Sequence, residues 1–189
     1  ALVMVLLSGL MLFSLVPVIL PTILAAHSIV GEKLARSLEP LLATPIRTWE
    51  LLLGKLLTMV TVAVIPSLVG YAIYLLVIGL AAPPVVFRIA ASPAFLLTVG
   101  VVGPLASICA VTIGMMVSAR SADLQTAQGL SGLIVLPVIG LGMAQLFGAV
   151  SVTVVGALGK AGALVVADAD LVLLCASVFE RETILSRWK

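Results

Sequence analysis

Five apolar runs alternate with short polar connections along the chain, at residues 2–26, 49–81, 93–118, 129–150 and 161–179. Each approaches or exceeds the ~20 residues that a helix needs to cross a bilayer. The pattern predicts an all-α integral membrane protein, a bundle of five spans forming one transmembrane domain over residues 1–189. The first run carries Pro17 and Pro21, which predict a kink. The second, with Pro66 and Gly70, is longer than one crossing needs, so it has to tilt, kink or project from the membrane. Ser92-Pro93 opens the third as an N-cap followed by an N1 proline. The fourth holds Gly132, Pro137, Gly140 and Gly142, where a hinge competes with simple tolerance of Gly and Pro in membranes. Residues 149–162 are small and Gly-rich and read as a re-entrant or interfacial hairpin.

The longest polar interruption is residues 28–55, with Glu32, Lys33, Arg36, Glu39, Arg47, Glu50 and Lys55. Ser37 can cap a helix whose first turn contains Pro40, where a missing N–H costs little. Thr44-Pro45 repeats the start signal. Between them fits a helix from Leu38 to Ala43, ~9 Å long. Leu38, Leu41 and Leu42 share one face of it, a shape that another protein can grip.

Basic residues set the orientation. Lys33, Arg36, Arg47, Lys55, Arg120, Arg181, Arg187 and Lys189 fall on one set of connections, and only Arg88 and Lys160 on the other. The 27–48 loop, the 119–128 loop and the tail are expected in the cytoplasm, and 82–92 and 151–160 outside. Trp188, between Arg187 and Lys189, suits an anchor at the lipid headgroups. The chain begins inside an apolar run without Met, which reads as a piece of a longer protein with one more span upstream.

Composition narrows the function. Hydrophobic residues make up 62% and charged ones 10%, against roughly 25% charged in soluble domains. The net charge of +2 is no argument for nucleic acid. Gly54-Lys55 would need a glycine where Trp49 stands, and Gly159-Lys160 one where Val154 stands, so neither forms a phosphate-binding loop. His27 is the single histidine, which excludes a His cluster for zinc and suits a membrane-boundary residue. Ser, His and acid residues are too scattered for a hydrolase. Cys109 and Cys175 sit in apolar runs as small hydrophobes. No metal and no cofactor is expected.

Two features remain. Ala106, Ala110, Gly114 and Ser118 recur every fourth residue, a small-residue ladder suited to helix packing within or between subunits. Asp168 and Asp170 fall inside the fifth run, where an ionisable group is costly and marks a functional site by default. Two residues apart, they face different sides of a helix. They can line a translocation path or an ion site, or simply bond a neighbouring helix, or lie near the outer water if the span begins later.

The stretch GEKLARSLEPLLATPIRTWELLLGK resembles the cytoplasmic loop of ABC-2 type transporter permeases. The matching positions are Glu32, Lys33, Ser37, Leu38, Glu39, Leu41, Leu42, Ala43, Thr44, Pro45, Glu50, Gly54 and Lys55. Leu34 departs from the pattern, since many relatives carry an acid there. The tail, with Arg181-Glu182-Thr183-Ile184-Leu185 and Arg187-Trp188, resembles the ending of sodium-export-type members, close to the multidrug-like branch. The resemblance implies a six-span exporter subunit whose first span precedes Ala1, in a multi-pass prokaryotic cell membrane. It implies a coupling helix that docks on a separate ABC ATPase subunit, with contacts from Glu32, Lys33, Arg36, Leu38, Glu39, Leu41, Leu42, Thr44, Pro45 and Arg47. A second permease half, identical or not, completes the unit, and this chain is not itself an enzyme. The competing readings are an ion-coupled transporter or channel using Asp168 and Asp170, and a membrane scaffold that recruits a partner without transport.

Overall fold

Away from water, backbone N–H and C=O groups must be satisfied within the chain, and apolar runs of this length do so as helices. The computed structural model describes residues 2–34, 48–121, 123–146 and 153–178. Every regular element among them is helical: α1 (Leu2–Leu34), α2 (Thr48–Ala81), α3 (Pro84–Ala90), α4 (Pro93–Leu97), a π turn (Thr98–Val102), α5 (Gly103–Arg120), α6 (Leu124–Leu146) and α7 (Val154–Val178). Among the described residues, Trp49–Ala81 and Pro84–Arg120 are long and apolar enough to cross a membrane, and Leu15–Ser28 is a shorter apolar stretch. The five expected spans thus meet that standard at two positions; α1, α6 and α7 occupy the other three as helices.

α1 is the central helix. It packs chiefly along α5 and α6, and then against α2, while α7 lies against α5. Its two prolines explain part of this arrangement. Pro17 and Pro21 have no N–H, so the carbonyls of Phe13 and Pro17, four residues back, lose their helical donors. Each is met from a different helix. The Ser67 hydroxyl of α2 donates to Phe13 O at 3.2 Å, and the Ser107 hydroxyl of α5 donates to Pro17 O. Helix α1 therefore runs on through both prolines to Leu34, eight residues past the expected end of the first span at 26.

Close approach is bought with small side chains. A Cβ on Gly114 would lie 2.7 Å from Ala25 Cβ, so α1 and α5 approach this closely here only because residue 114 has no side chain. A Cβ on Gly9 would lie 2.6 Å from the Tyr74 hydroxyl, which fixes how α2 sits on the first turns of α1. Phe13, Tyr71 and Tyr74 form a ring cluster beside it, with Phe13 and Tyr71 edge to face at 5.5 Å. The Tyr71 hydroxyl donates to Ala90 O at 2.7 Å and ties α2 to α3.

Two connections differ from their sequence reading. Residues 82–92 contain α3, a short helix started by Pro84, whose fixed φ suits a first turn. The Gly-rich stretch expected as a hairpin is, from Val154 onward, the start of α7. Thr153 caps it: its Oγ1 accepts from Gly156 N at 3.1 Å and its carbonyl from Ala157 N. Residues 147–152, the rest of that stretch, lie outside the described residues. Ser92 is the N-cap of α4 and Pro93 follows at its start, although the Ser92 hydroxyl makes no capping bond.

Candidate functional site

One end of the bundle gathers most of the described basic residues. There α1, α2, α5 and α6 are joined by side chains. Lys55 Nζ of α2 donates to Ser28 O of α1 at 3.3 Å. Ser118 of α5 donates to Ala26 O at 2.8 Å and accepts from Val30 N at 3.2 Å. The Gln128 amide of α6 lies 2.6 Å from His27 Nε2 of α1. Ala26, Val30 and Ala127 pack together beneath these contacts. Asp123 caps α6, accepting from Thr126 N at 2.6 Å and from the Thr126 hydroxyl at 2.8 Å. The Thr126 backbone bond, followed by the hydroxyl, holds the Asp123 carboxyl below the usual carboxylate range.

From this knot the chain leaves α1 at Leu34 and returns at Thr48. Glu32 and Lys33 belong to the last turn of α1. Arg36, Leu38, Glu39, Leu41, Leu42, Thr44, Pro45 and Arg47, the other residues expected to couple to an ATPase, lie outside the described residues, as does the tail from 179. Of the small-residue ladder, Ala110, Gly114 and Ser118 are buried and Ala106 is half-buried. Gly114 and Ser118 face α1. Sequence reasoning missed Gly103 and Ser107, which extend that contact to Pro17. The freed Pro17 carbonyl was the available signal, but nothing in the sequence names its donor.

The two aspartates separate as their spacing requires. Asp170 is exposed, and Asp168 is 94% buried, with 6% exposure remaining. Neither carboxyl oxygen of Asp168 has a hydrogen-bond partner. Across from it, Cys109 of α5 lies within electrostatic reach. One turn toward the basic end lies an apolar cavity of about 220 Å³ between α2, α5 and α7. Trp49, Leu52, Leu53 and Leu56 of α2 form one wall. Thr112 and Met115 of α5, with Val172 and Cys175 of α7, form the other. This cavity was not foreseen; it needs the register of three helices. Among the described residues no three His, Cys, Asp or Glu side chains cluster to hold a metal ion.

A bundle of long apolar helices, bound at one end around a polar excursion, is the frame of a membrane permease. The family model described as "ABC-2 family transporter protein" matches residues 4–158. The chain belongs to that family: it is a membrane permease component of an ABC transporter. Members of the family are not themselves enzymes, and they normally work with an ABC ATPase subunit. No curated protein and no solved structure matches the chain. The match ends at residue 158, so Asp168, Asp170 and Cys175 lie beyond it.

Proposed function

We propose that the chain exports a substrate across a prokaryotic cell membrane, driven by ATP hydrolysed on a separate ABC ATPase subunit. α1, α2, α4 to α5, α6 and α7 are the five spans, with the basic end in the cytoplasm. Leu38, Leu41 and Leu42 dock into the ATPase as apolar anchors. Glu32, Lys33, Arg36, Glu39 and Arg47 form the charged rim, and Thr44-Pro45 sets the return into α2. A second permease half, identical or different, and surrounding lipid complete the unit.

Besides family membership, the observation that carries this reading is the knot at the basic end. The helices that flank residues 35–47 in sequence, α1 and α2, are pinned to each other by Lys55 and Ser28, and α1 is tied there to α5 and α6 as well. A push on that segment reaches four helices at once.

Buried apolar anchors dominate docking energy, and rim charges add less. Each leucine removed should cost on the order of 1–3 kcal/mol of docking. The test replaces Leu41 and Leu42 by Ala and measures co-purification with the ATPase, ATP hydrolysis and transport in the same membranes. The expected result is a weakened complex, or hydrolysis without transport, at unchanged membrane abundance. Full binding with full transport would remove residues 38–43 from the coupling role.

A further inference from the structure

The short helix α3 is not needed to cross the membrane. Pro93–Arg120, which follows it, runs about 40 Å by itself, against a hydrocarbon core of ~30 Å. Two extended residues, Pro83 (ψ 148°) and Ser92 (ψ 150°), set α3 off from α2 and from α4. Instead it is laid against the last turns of α2. Val86 and Ala90 pack on Tyr74, Leu75 and Ile78, and the Tyr71 hydroxyl holds the Ala90 carbonyl.

The other side of α3 is uncovered. Val85, Phe87, Arg88 and Ile89 are exposed, as are Leu76, Val77 and Leu80 on the turns of α2 that α3 packs on. Exposed apolar surface of this kind marks a membrane or protein contact. Depth and charge choose the membrane. From Lys55 to the end of α2 at Ala81 is 26 residues, about 39 Å of helix. A bilayer with its headgroups measures ~40–45 Å. With Lys55 in the headgroup layer of one side, α2 ends, and α3 lies, in that of the other. Arg88 is the only charged residue between Lys55 and Arg120. Among the described residues no hydrogen bond or ion pair neutralises it. A guanidinium matches a phosphate with two parallel hydrogen bonds, and its stem lets it reach the headgroups from an apolar bed.

We infer that α3 is a lipid anchor, with Val85, Phe87 and Ile89 in the acyl boundary and Arg88 on the phosphate of a phospholipid. This goes beyond the proposed export function and does not depend on it; it requires a chain that spans a membrane.

The chain has two tryptophans, Trp49 and Trp188. Replacing both by Phe and adding Phe87→Trp leaves one indole on α3. The purified full chain is reconstituted in phosphatidylcholine vesicles brominated either near the headgroup end of the acyl chains or deep in them. Shallow bromines should quench the indole at least ~2-fold more than deep ones. In vesicles where phosphatidylglycerol alone carries bromine, quenching gives its association relative to phosphatidylcholine. That preference should fall about 5-fold in Arg88→Gln, the scale for one basic residue at an anionic surface. Arg88→Lys should keep most of it.

An indole quenched by aqueous acrylamide but by neither lipid places α3 in water and overturns the inference. One shielded from acrylamide and from both lipids is covered by protein, which overturns it too. So does an equal preference for phosphatidylglycerol in the parent and Arg88→Gln. A nitroxide on Val85→Cys, in a chain lacking Cys109 and Cys175, repeats the depth measurement with both native tryptophans in place, so the result stands even where the tryptophan variants fail to fold. No ATPase enters the assay, so its failure leaves the coupling reading untouched.

Discussion

The Ser107 hydroxyl of α5 donates to the carbonyl of Pro17 on α1, the group that Pro21 cannot serve because it has no N–H. A helix with two prolines keeps its course here because other helices complete its hydrogen bonds. At Ser118 no proline is involved: its hydroxyl donates to Ala26 O and accepts from Val30 N, two groups one helical turn apart that can pair with each other once the hydroxyl is removed.

Ser107→Ala should therefore lower stability by about 1–2 kcal/mol, the scale of a buried acceptor left without a partner. Ser118→Ala should cost less. Adding Pro21→Ala to Ser107→Ala should recover part of the loss, because the new N–H reaches Pro17 O within α1. Thermal unfolding in detergent of the two single variants and the pair measures this. A pair no more stable than Ser107→Ala would show that the carbonyl was not the cause.

Gly114 is set by Ala25. Gly114→Ala places a methyl group where Ala25 Cβ already stands, 2.7 Å away. The helices must move apart, at about 1–3 kcal/mol for overpacking. Ala25→Gly, combined with it, should restore most of the stability. The pair is read as a double-mutant cycle, and a coupling energy near zero would contradict the contact.

Much of this bundle is legible in the sequence, because long apolar runs have one way to satisfy their backbones in lipid. Hence α2 falls within one residue of its expected range, 49–81 against Thr48–Ala81. The opposite faces of Asp168 and Asp170 follow from helix periodicity alone. Contacts across the sequence are another matter. Ser107 and Pro17 are 90 positions apart, and no local rule pairs them. Composition also misleads where it is bland. Gly156, Gly159 and Gly162 suggest a turn, yet Thr153 starts a helix through them. The cavity depends on how α2, α5 and α7 align, which periodicity does not fix.

Sidedness can be tested with single cysteines in a background lacking Cys109 and Cys175. Eight of ten basic residues on one set of connections predict that Ser37, Asp123 and Ser186 face the inside. Cysteines there should resist an impermeant thiol reagent in intact cells, and one at Ala82 should react. Rapid labelling of Ser37→Cys from outside would reverse the orientation.

Asp168 gives the sharpest separation of stability from function. A buried carboxyl without partners contributes nothing to packing that a leucine of nearly the same shape cannot supply. Asp168→Leu should therefore hold or raise stability, by up to about 2 kcal/mol, the scale for relieving an unsatisfied buried polar group. Transport should fall at the same time if Asp168 lines the translocation path, the role an ionisable group inside a span suggests. Asp170→Leu, exposed on the other face of α7, should leave both stability and transport close to the parent. The two readouts are the thermal midpoint in detergent and ATP-dependent flux at matched membrane abundance. A lower midpoint for Asp168→Leu would mean that the carboxyl has a structural partner after all. A raised midpoint with full transport would mean that the acid is dispensable, and the path would have to run elsewhere through the bundle.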